Sequence, residues 1–245
     1  FGSFTQSKLP LKMLALLVLL VFLQFYKLCY MDRIKKLCAY LEKCESFADI
    51  GCDHGYCTEY MLESKLCKTA TISDISAKCL EKAEKLLSVY IKNGAVKSVC
   101  CNGLEKIDED TDEILIAGMG GEEIVNILTS SYIPKLFVLQ PMRNMREVRE
   151  FLLKNGAEIT VDEPFDNCGK FYYVLKGRRG GNFRPYTDAE LDFGQRLESP
   201  VTKAYVRGEL EKKQLYLQRN LSGQARAEIE NQAKYLEGVL KGEIK

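Results

Sequence analysis

Two carboxylates, two glycines and the chain's single histidine crowd into Asp49-Ile50-Gly51-Cys52-Asp53-His54-Gly55-Tyr56. Phe47 to Ile50 reads as the end of a buried strand, Gly51 and Gly55 frame a tight turn, and Tyr56 to Glu63 opens a helix. A strand, a glycine turn and a helix N-terminus form a cradle for a nucleotide-like ligand, because glycine lets backbone N–H groups come close. A dinucleotide fingerprint would be G-x-G-x-x-G, whereas Asp53 stands between these two glycines. That carboxylate opposes a pyrophosphate and favours a ligand with a cationic or hydroxyl-rich end. Taken alone, the stretch has an ordinary strand-to-helix turn as its lesser alternative. Cys52, His54 and Cys57 lie close together, but further ligands at usable spacing are missing and no metal is expected.

Other polar residues recur where strands end. Asp74 closes the strand Ala70 to Ser73, where an acid can accept both hydroxyls of a ribose, with Ile75 beside it; alternatively it caps the next helix. Asn102, before Gly103, ends a strand over Val96 to Cys101 and offers an amide to an adenine edge. Gly118-Met119-Gly120-Gly121 follows the strand Glu113 to Ala117, inviting close backbone approach at a helix N-terminus or simply a tight turn. Gln140 ends the strand Leu136 to Gln140.

Helices are expected over Met31 to Leu41, Ser76 to Ile91, Gly121 to Leu128 and Arg143 to Lys154. Ala157 to Glu163 and Phe171 to Lys176 would form a hairpin around Asp166 to Gly169. Alternating strands and helices imply an α/β fold: a mostly parallel sheet with an antiparallel strand at one edge. Ligands in such sheets bind at the carboxyl ends of the strands, where Asp49, Asp74, Asn102, Gly118 and Gln140 converge.

A basic linker over residues 178–187 leads into residues 188–245, where Leu210, Leu217, Leu221, Ile229, Leu236 and Leu240 recur at helical spacing and Ser222-Gly223 offers a break. A helical hairpin or coiled coil follows, or a helical tail packed on the sheet. Residues 1–30 hold an apolar run preceded by Lys8 and Lys12. It is shorter than a comfortable membrane span, so an upstream artefact before Met31 is expected rather than an anchor. The 245 residues, 46% hydrophobic, can bury a full core, and a net charge of +1 leaves nucleic-acid binding to local clusters. Ten cysteines without a C-x-x-C pair read as reduced thiols of a cytoplasmic protein.

Asp49 to Tyr56, Asn102-Gly103-Leu104, Ile116 to Gly121, Leu139-Gln140-Pro141 and Gly169-Lys170-Phe171-Tyr172-Tyr173 together resemble the bacterial tRNA adenine-N1 methyltransferases acting at position 22, in the D-arm. These are class I S-adenosylmethionine-dependent methyltransferases of Rossmann-like fold. The resemblance covers residues 31–177, and the family's C-terminal coiled coil agrees with the tail. It implies S-adenosylmethionine as cofactor, held by Asp49, Gly51, Asp53, Gly55, Asp74, Ile75, Asn102, Gly103, Gly118, Met119 and Gly120. The family usually has aspartate at Asn102 and asparagine at Met142.

Adenine N1 carries a lone pair at neutral pH and needs no strong base, so alignment and exclusion of water dominate. A carboxylate near the exocyclic amine would orient the base and stabilise the cationic product, and Asp53 is the candidate catalytic residue. His54, Tyr56, Gln140 and Pro141 are candidate substrate contacts. RNA affinity is expected from Lys170, Lys176, Arg178, Arg179 and Arg184, with Arg143, Arg146 and Arg149 as a second group. The resemblance implies tRNA as partner; no stable protein partner and no membrane attachment are implied. Another RNA or small-molecule methyltransferase, or a non-catalytic RNA-binding protein of the same fold, remains the alternative.

Overall fold

β1 (Ser46–Ile50) is the middle of the fold because Phe47, Ala48 and Ile50 are apolar on both faces and are all but fully buried. Such runs suit a parallel strand covered on each side by helices. The computed structural model describes residues 11–182, 184–219 and 222–244. Residues 1–10, with Lys8, and Leu221 lie outside the described residues.

In chain order the elements are α1 (Leu11–Cys38), β1, α2 (Tyr56–Glu63), β2 (Thr69–Asp74), α3 (Ala77–Leu86), α4 (Ser88–Lys92), β3 (Val96–Cys100) and β4 (Glu113–Met119). Then come α5 (Gly121–Thr129), β5 (Leu136–Pro141), α6 (Met145–Lys154), β6 (Ala157–Asn167), β7 (Lys170–Arg179), α7 (Asp188–Phe193), α8 (Pro200–Leu217) and α9 (Gly223–Lys241). The strands form one 7-stranded sheet in the order β3-β2-β1-β4-β5-β7-β6. β1 to β5 are mutually parallel; β7 is antiparallel to both β5 and β6, so the reversed strand lies one place in from the edge. One core layer joins Leu37, Phe47, Met61, Ile72 and Leu115, and the layer on the other face joins Ile50, Ile116, Ile124, Phe137 and Leu152.

Four expectations change. The helix expected over Ser76 to Ile91 divides into α3 and α4 at Leu87 (φ −90°, ψ 14°), whose buried side chain packs on the glycine turn: a Cβ at Gly55 would lie 3.0 Å from Leu87 Cδ1. The helix expected from Met31 is the last part of α1, which begins at Leu11. Among the described residues no helix is long and apolar enough to cross a membrane. Arg178 and Arg179 belong to β7 rather than to a linker.

The fourth concerns the thiols. Cys29 and Cys168 form a disulfide across 139 positions, so the fully reduced expectation fails for this pair. Only tertiary packing sets α1 beside the β6–β7 turn, where the Asn167 side-chain amide also donates to the Cys29 carbonyl at 2.8 Å.

The tail both folds on itself and packs on the sheet. α8 and α9 share an apolar cluster of Val206, Leu236 and Val239 with Ala189 and Phe193 of α7. Ser222 caps α9 at the expected break, its hydroxyl accepting from the Ala225 N–H. Tyr205 of α8 meets Phe171 and Tyr173 of β7 edge-on, at 5.6 and 5.4 Å. Beneath this contact Arg149 of α6 is fully buried and pairs with Asp162 of β6 at 2.8 Å; it also donates to the Leu191 carbonyl and lies 4.8 Å from the Tyr173 ring centroid.

Removing one partner of such a pair leaves an uncompensated buried charge. Arg149→Ala is expected to lower stability by about 3–5 kcal/mol in urea unfolding, and replacing both partners with apolar residues should recover most of it. An unchanged midpoint in the single variant would show that the pair holds nothing together.

Candidate active site

The turn after β1 is built by backbone conformations that few residues tolerate. Gly51 has φ 68° and Gly55 φ 77°, and a Cβ at Gly51 would collide with Met119 Cε. Asp53 takes the left-handed region too, at φ 45°, an uncommon position for a side chain. Its carboxylate is held from both sides: His54 Nδ1 lies 2.7 Å from Oδ2, and Lys82 Nζ of α3 lies 3.2 Å from Oδ1. Partial burial works against its ionisation, yet hydrogen bonds from His54 and Lys82 hold the carboxyl below the ordinary value. His54 stacks on Tyr56 with ring centroids 5.6 Å apart and planes 8° from parallel.

Beneath the turn Asp49 is buried and accepts a hydrogen bond from the Thr58 hydroxyl at 2.9 Å. Burial pushes its pKa up to about 6, against the lowering effect of that bond. Cys52 and Cys57 pack in the core under the turn. Asp74 serves partly as a cap, since Oδ1 accepts from the Ser76 N–H at 2.8 Å, while its carboxylate still lines the cleft. Ile75 beside it is 73% exposed, an apolar surface without a protein partner. Asn102 is exposed at the cleft wall, and Gly103 (φ 53°) has no room for a Cβ, which would lie 2.8 Å from Ile127 Cγ2. Gly118 (φ 79°) sits at the irregularity between Ala117 and Met119 where β4 leaves its register with β5. A Cβ there would meet nothing within 4 Å, so the backbone conformation requires glycine and open space adjoins it.

These pieces enclose a cleft of about 440 Å³ that Asp49, Gly51, Asp53, Asp74, Asn102 and Gly118 all line, with Ile75, Gly103, Met119 and Tyr56. Several expected residues lie elsewhere. Gly55 and Gly120 cap α2 and α5 outside the lining, and His54 touches the site through Asp53. Gln140 is fully buried, donating to the Pro141 carbonyl at 3.0 Å, and Pro141 is buried too. Neither is among the residues that line the cleft, and both are packed in the interior.

The expected basic run is largely paired. Arg178 binds Glu158 at 2.6 Å, Arg184 binds Glu190 at 2.5 Å, Arg179 pairs with Glu109, and Lys176 reaches Glu42 at 2.6 Å. In the second group Arg149 is interior and Arg146 holds Glu150, Asp188 and Asp192. Lys170 differs: its Nζ lies 5.1 Å from the Tyr172 ring centroid.

The cleft also has a wall that the motifs did not announce. Tyr30, Arg33, Ile34 and Leu37 of α1 line it. Their i, i+3, i+4, i+7 spacing was the available signal, with an arginine set in an otherwise apolar stripe.

A family model described as a methyltransferase domain matches residues 30–175. The chain belongs to that family. A putative tRNA methyltransferase of Mycoplasma pneumoniae is 36% identical over 135 residues, covering 55% of this chain and 63% of that protein. The tRNA (adenine(22)-N(1))-methyltransferase of Bacillus subtilis is 28% identical over 168 residues, covering 66% of this chain and 70% of that protein. The chain thus spans about three fifths of the Mycoplasma pneumoniae relative. Among solved structures, a Streptococcus agalactiae protein of the NADB-Rossmann superfamily superposes with a TM-score of 0.76 at 27% identity, over 85% of this chain and 96% of that one. A Streptococcus pneumoniae putative tRNA (m1A22) methyltransferase shares the fold at TM-score 0.76 and 23% identity, over 85% of this chain and 98% of that one.

The methyltransferase cleft fits an adenosyl sulfonium compound. Asp74 and Asn102 offer partners to a nucleoside, Gly118 adjoins open space, and Asp49 suits positive charge. A dinucleotide's pyrophosphate would meet these same carboxylates and be repelled.

Asp49 makes a pH prediction. Its folded pKa of about 6 lies above the ordinary 3.8, so the folded chain holds this proton more tightly than the unfolded chain. The cost of ionising Asp49 is absent below about pH 4 and fully felt above about pH 6. Asp49→Asn should therefore match the wild type near pH 4 and become relatively more stable as pH rises to about 7, read from urea midpoints. A gap that does not change with pH would contradict the assignment.

Proposed function

We propose that this protein transfers a methyl group from S-adenosylmethionine to N1 of an adenine in tRNA, at position 22 of the D-arm. The observation that carries the reading is Asp53, an ionised carboxylate on the cleft rim, 46% exposed and clamped by His54 and Lys82. The similarity to the Bacillus subtilis enzyme supports the same substrate. When bound, the cofactor supplies an electrophilic methyl group on a sulfonium.

The chain's own residues then have two tasks. Asp53 accepts an N–H from the exocyclic amine of adenine, which aims N1 inward and favours the positive charge that the ring acquires. A guanine would present a carbonyl oxygen there and be repelled by the carboxylate. Lys82 and His54 hold Asp53 in its strained backbone position, so orientation costs little at the moment of reaction. Tyr56 and Tyr30, edge-to-face at 6.1 Å, give the rim an aromatic surface for a base opened from its stack. With Arg178, Arg179 and Arg184 paired, RNA contacts fall mainly to Lys170 and to Arg143, neither of which has a carboxylate partner among the described residues. The reading places the protein in the cytoplasm with its substrate.

Incubation with tRNA and S-adenosylmethionine, followed by nucleoside mass spectrometry, should yield 1-methyladenosine; its absence would defeat the reading. Asp53→Asn should slow methylation about 10²-fold while leaving cofactor affinity within about twofold. Equal losses in rate and affinity would instead assign Asp53 to the cofactor.

A further inference from the structure

We infer that the Cys29–Cys168 disulfide is a reversible redox clasp. Closed, it pins α1 to the β6–β7 turn and holds one wall of the cleft in place; opened by a thiol reductant, it frees that wall to move. The clasp itself stands on geometry, and its effect on turnover rests on the methyltransferase reading above.

The bond stands apart from the rest of the thiol chemistry. The other eight cysteines are free, and Cys38, Cys52, Cys57, Cys67 and Cys101 among them are buried. The two linked cysteines lie further out, Cys29 half-buried and Cys168 exposed. In a cytoplasmic chain that otherwise keeps its thiols, a single bond is of the transient, redox-sensing kind rather than part of a structural framework. Exposed disulfides are also the ones that exchange readily. Cys168 takes an unusual place: at φ 52°, with Gly169 at φ 77°, it makes the two-residue turn between β6 and β7. Asparagine, aspartate or glycine fills such a left-handed position more readily, so the turn by itself does not call for a cysteine.

The clasp sits where α1 leaves the body of the protein. On its N-terminal side Leu28 is 68% exposed and Val18 to Val21 are exposed too. On its C-terminal side the next residue, Tyr30, lines the cleft and meets Tyr56 edge-on. Without the bond this corner keeps hydrogen bonds from the Asn167 amide to the Cys29 carbonyl and from Lys36 Nζ to the Asp166 carbonyl at 2.9 Å. Contacts of that kind open locally, whereas a covalent link does not. With the clasp closed, a base entering the cleft must pass a fixed Tyr30; with it open, that turn of α1 can yield.

The exchange balances. A thiolate of a small dithiol attacks Sγ of Cys168, the S–S bond breaks, and Cys29 leaves as a thiolate that takes up a proton. The second thiolate of the reagent then displaces Cys168 from the mixed disulfide, and Cys168 is protonated in turn. Two electrons pass to the protein and the dithiol becomes a disulfide; a small-molecule disulfide drives the reverse.

The test compares the full chain oxidised by a small disulfide with the same chain reduced by a dithiol, beside Cys29→Ser and Cys168→Ser under both conditions. Amides of residues 28–38 should exchange hydrogen about tenfold more slowly in the oxidised wild type. Methylation turnover on tRNA should be lower in that state by about threefold or more, because the wall must open for ligands to exchange. Both serine variants should match the reduced wild type in either condition. Equal amide protection in the two states, equal turnover, or a redox response that persists in Cys168→Ser would overturn the clasp. Protein that makes no 1-methyladenosine in either state would overturn the functional reading instead, and amide protection would still decide whether the clasp exists.

Discussion

Gly51 and Met119 press against each other where β1 and β4 end side by side, and the site depends on how little room that leaves. With φ at 68° and no Cβ, Gly51 turns the chain down onto the methionine instead of away from it. The turn then delivers Asp53 to the rim, and Gly55 starts α2 against Leu87 and Ala83. A side chain at Gly51 would have to displace the flexible end of Met119 and would be strained at φ 68° whatever the space. Aspartate accepts the left-handed φ of 45° more readily than most side chains do. Its carboxylate gains partners in His54 and Lys82 that offset the strain.

Charge is distributed by the same geometry. Among the described residues four acids line the cleft with one arginine, although the chain as a whole is nearly neutral. A local field of this sign recruits a cationic ligand and opposes a polyanionic one. The surface shows the opposite economy. Arginines that stand together in the sequence are paired with carboxylates from distant segments, Glu109 and Glu158 among them. Exposed pairs of this kind add little stability each, but they remove charge that would otherwise seem free for RNA.

The buried pair Arg149–Asp162 does a different job. It lies where α6, β6, β7 and the start of the tail meet, and its remaining donors satisfy carbonyls at the end of α7. The helical tail is thereby registered against the sheet by a polar contact that tolerates no sliding, while Tyr205 and Phe193 supply the apolar area. The Cys29–Cys168 link adds a covalent tie between α1 and the β6–β7 turn, near the wall of the cleft that Tyr30 and Arg33 provide.

Local order determined much of this by itself. The α/β alternation, the strand ends, the glycine turn and the start of α2 at Tyr56 follow from periodicity and from residues whose backbone preferences act over a few positions. Asp49, Asp53, Asp74, Asn102 and Gly118 converge because strand ends in a parallel sheet must share one edge. What required tertiary structure depends on contacts across long separations, which leave no local trace. The division of α3 from α4 follows from Leu87 packing under Gly55. Burial of Gln140 follows from its interior strand, and neutralisation of Arg178 and Arg179 from glutamates far off in the chain. Arg33 reads in the sequence as one more charge on a helix; only the packing of α1 across the cleft places it among the lining residues.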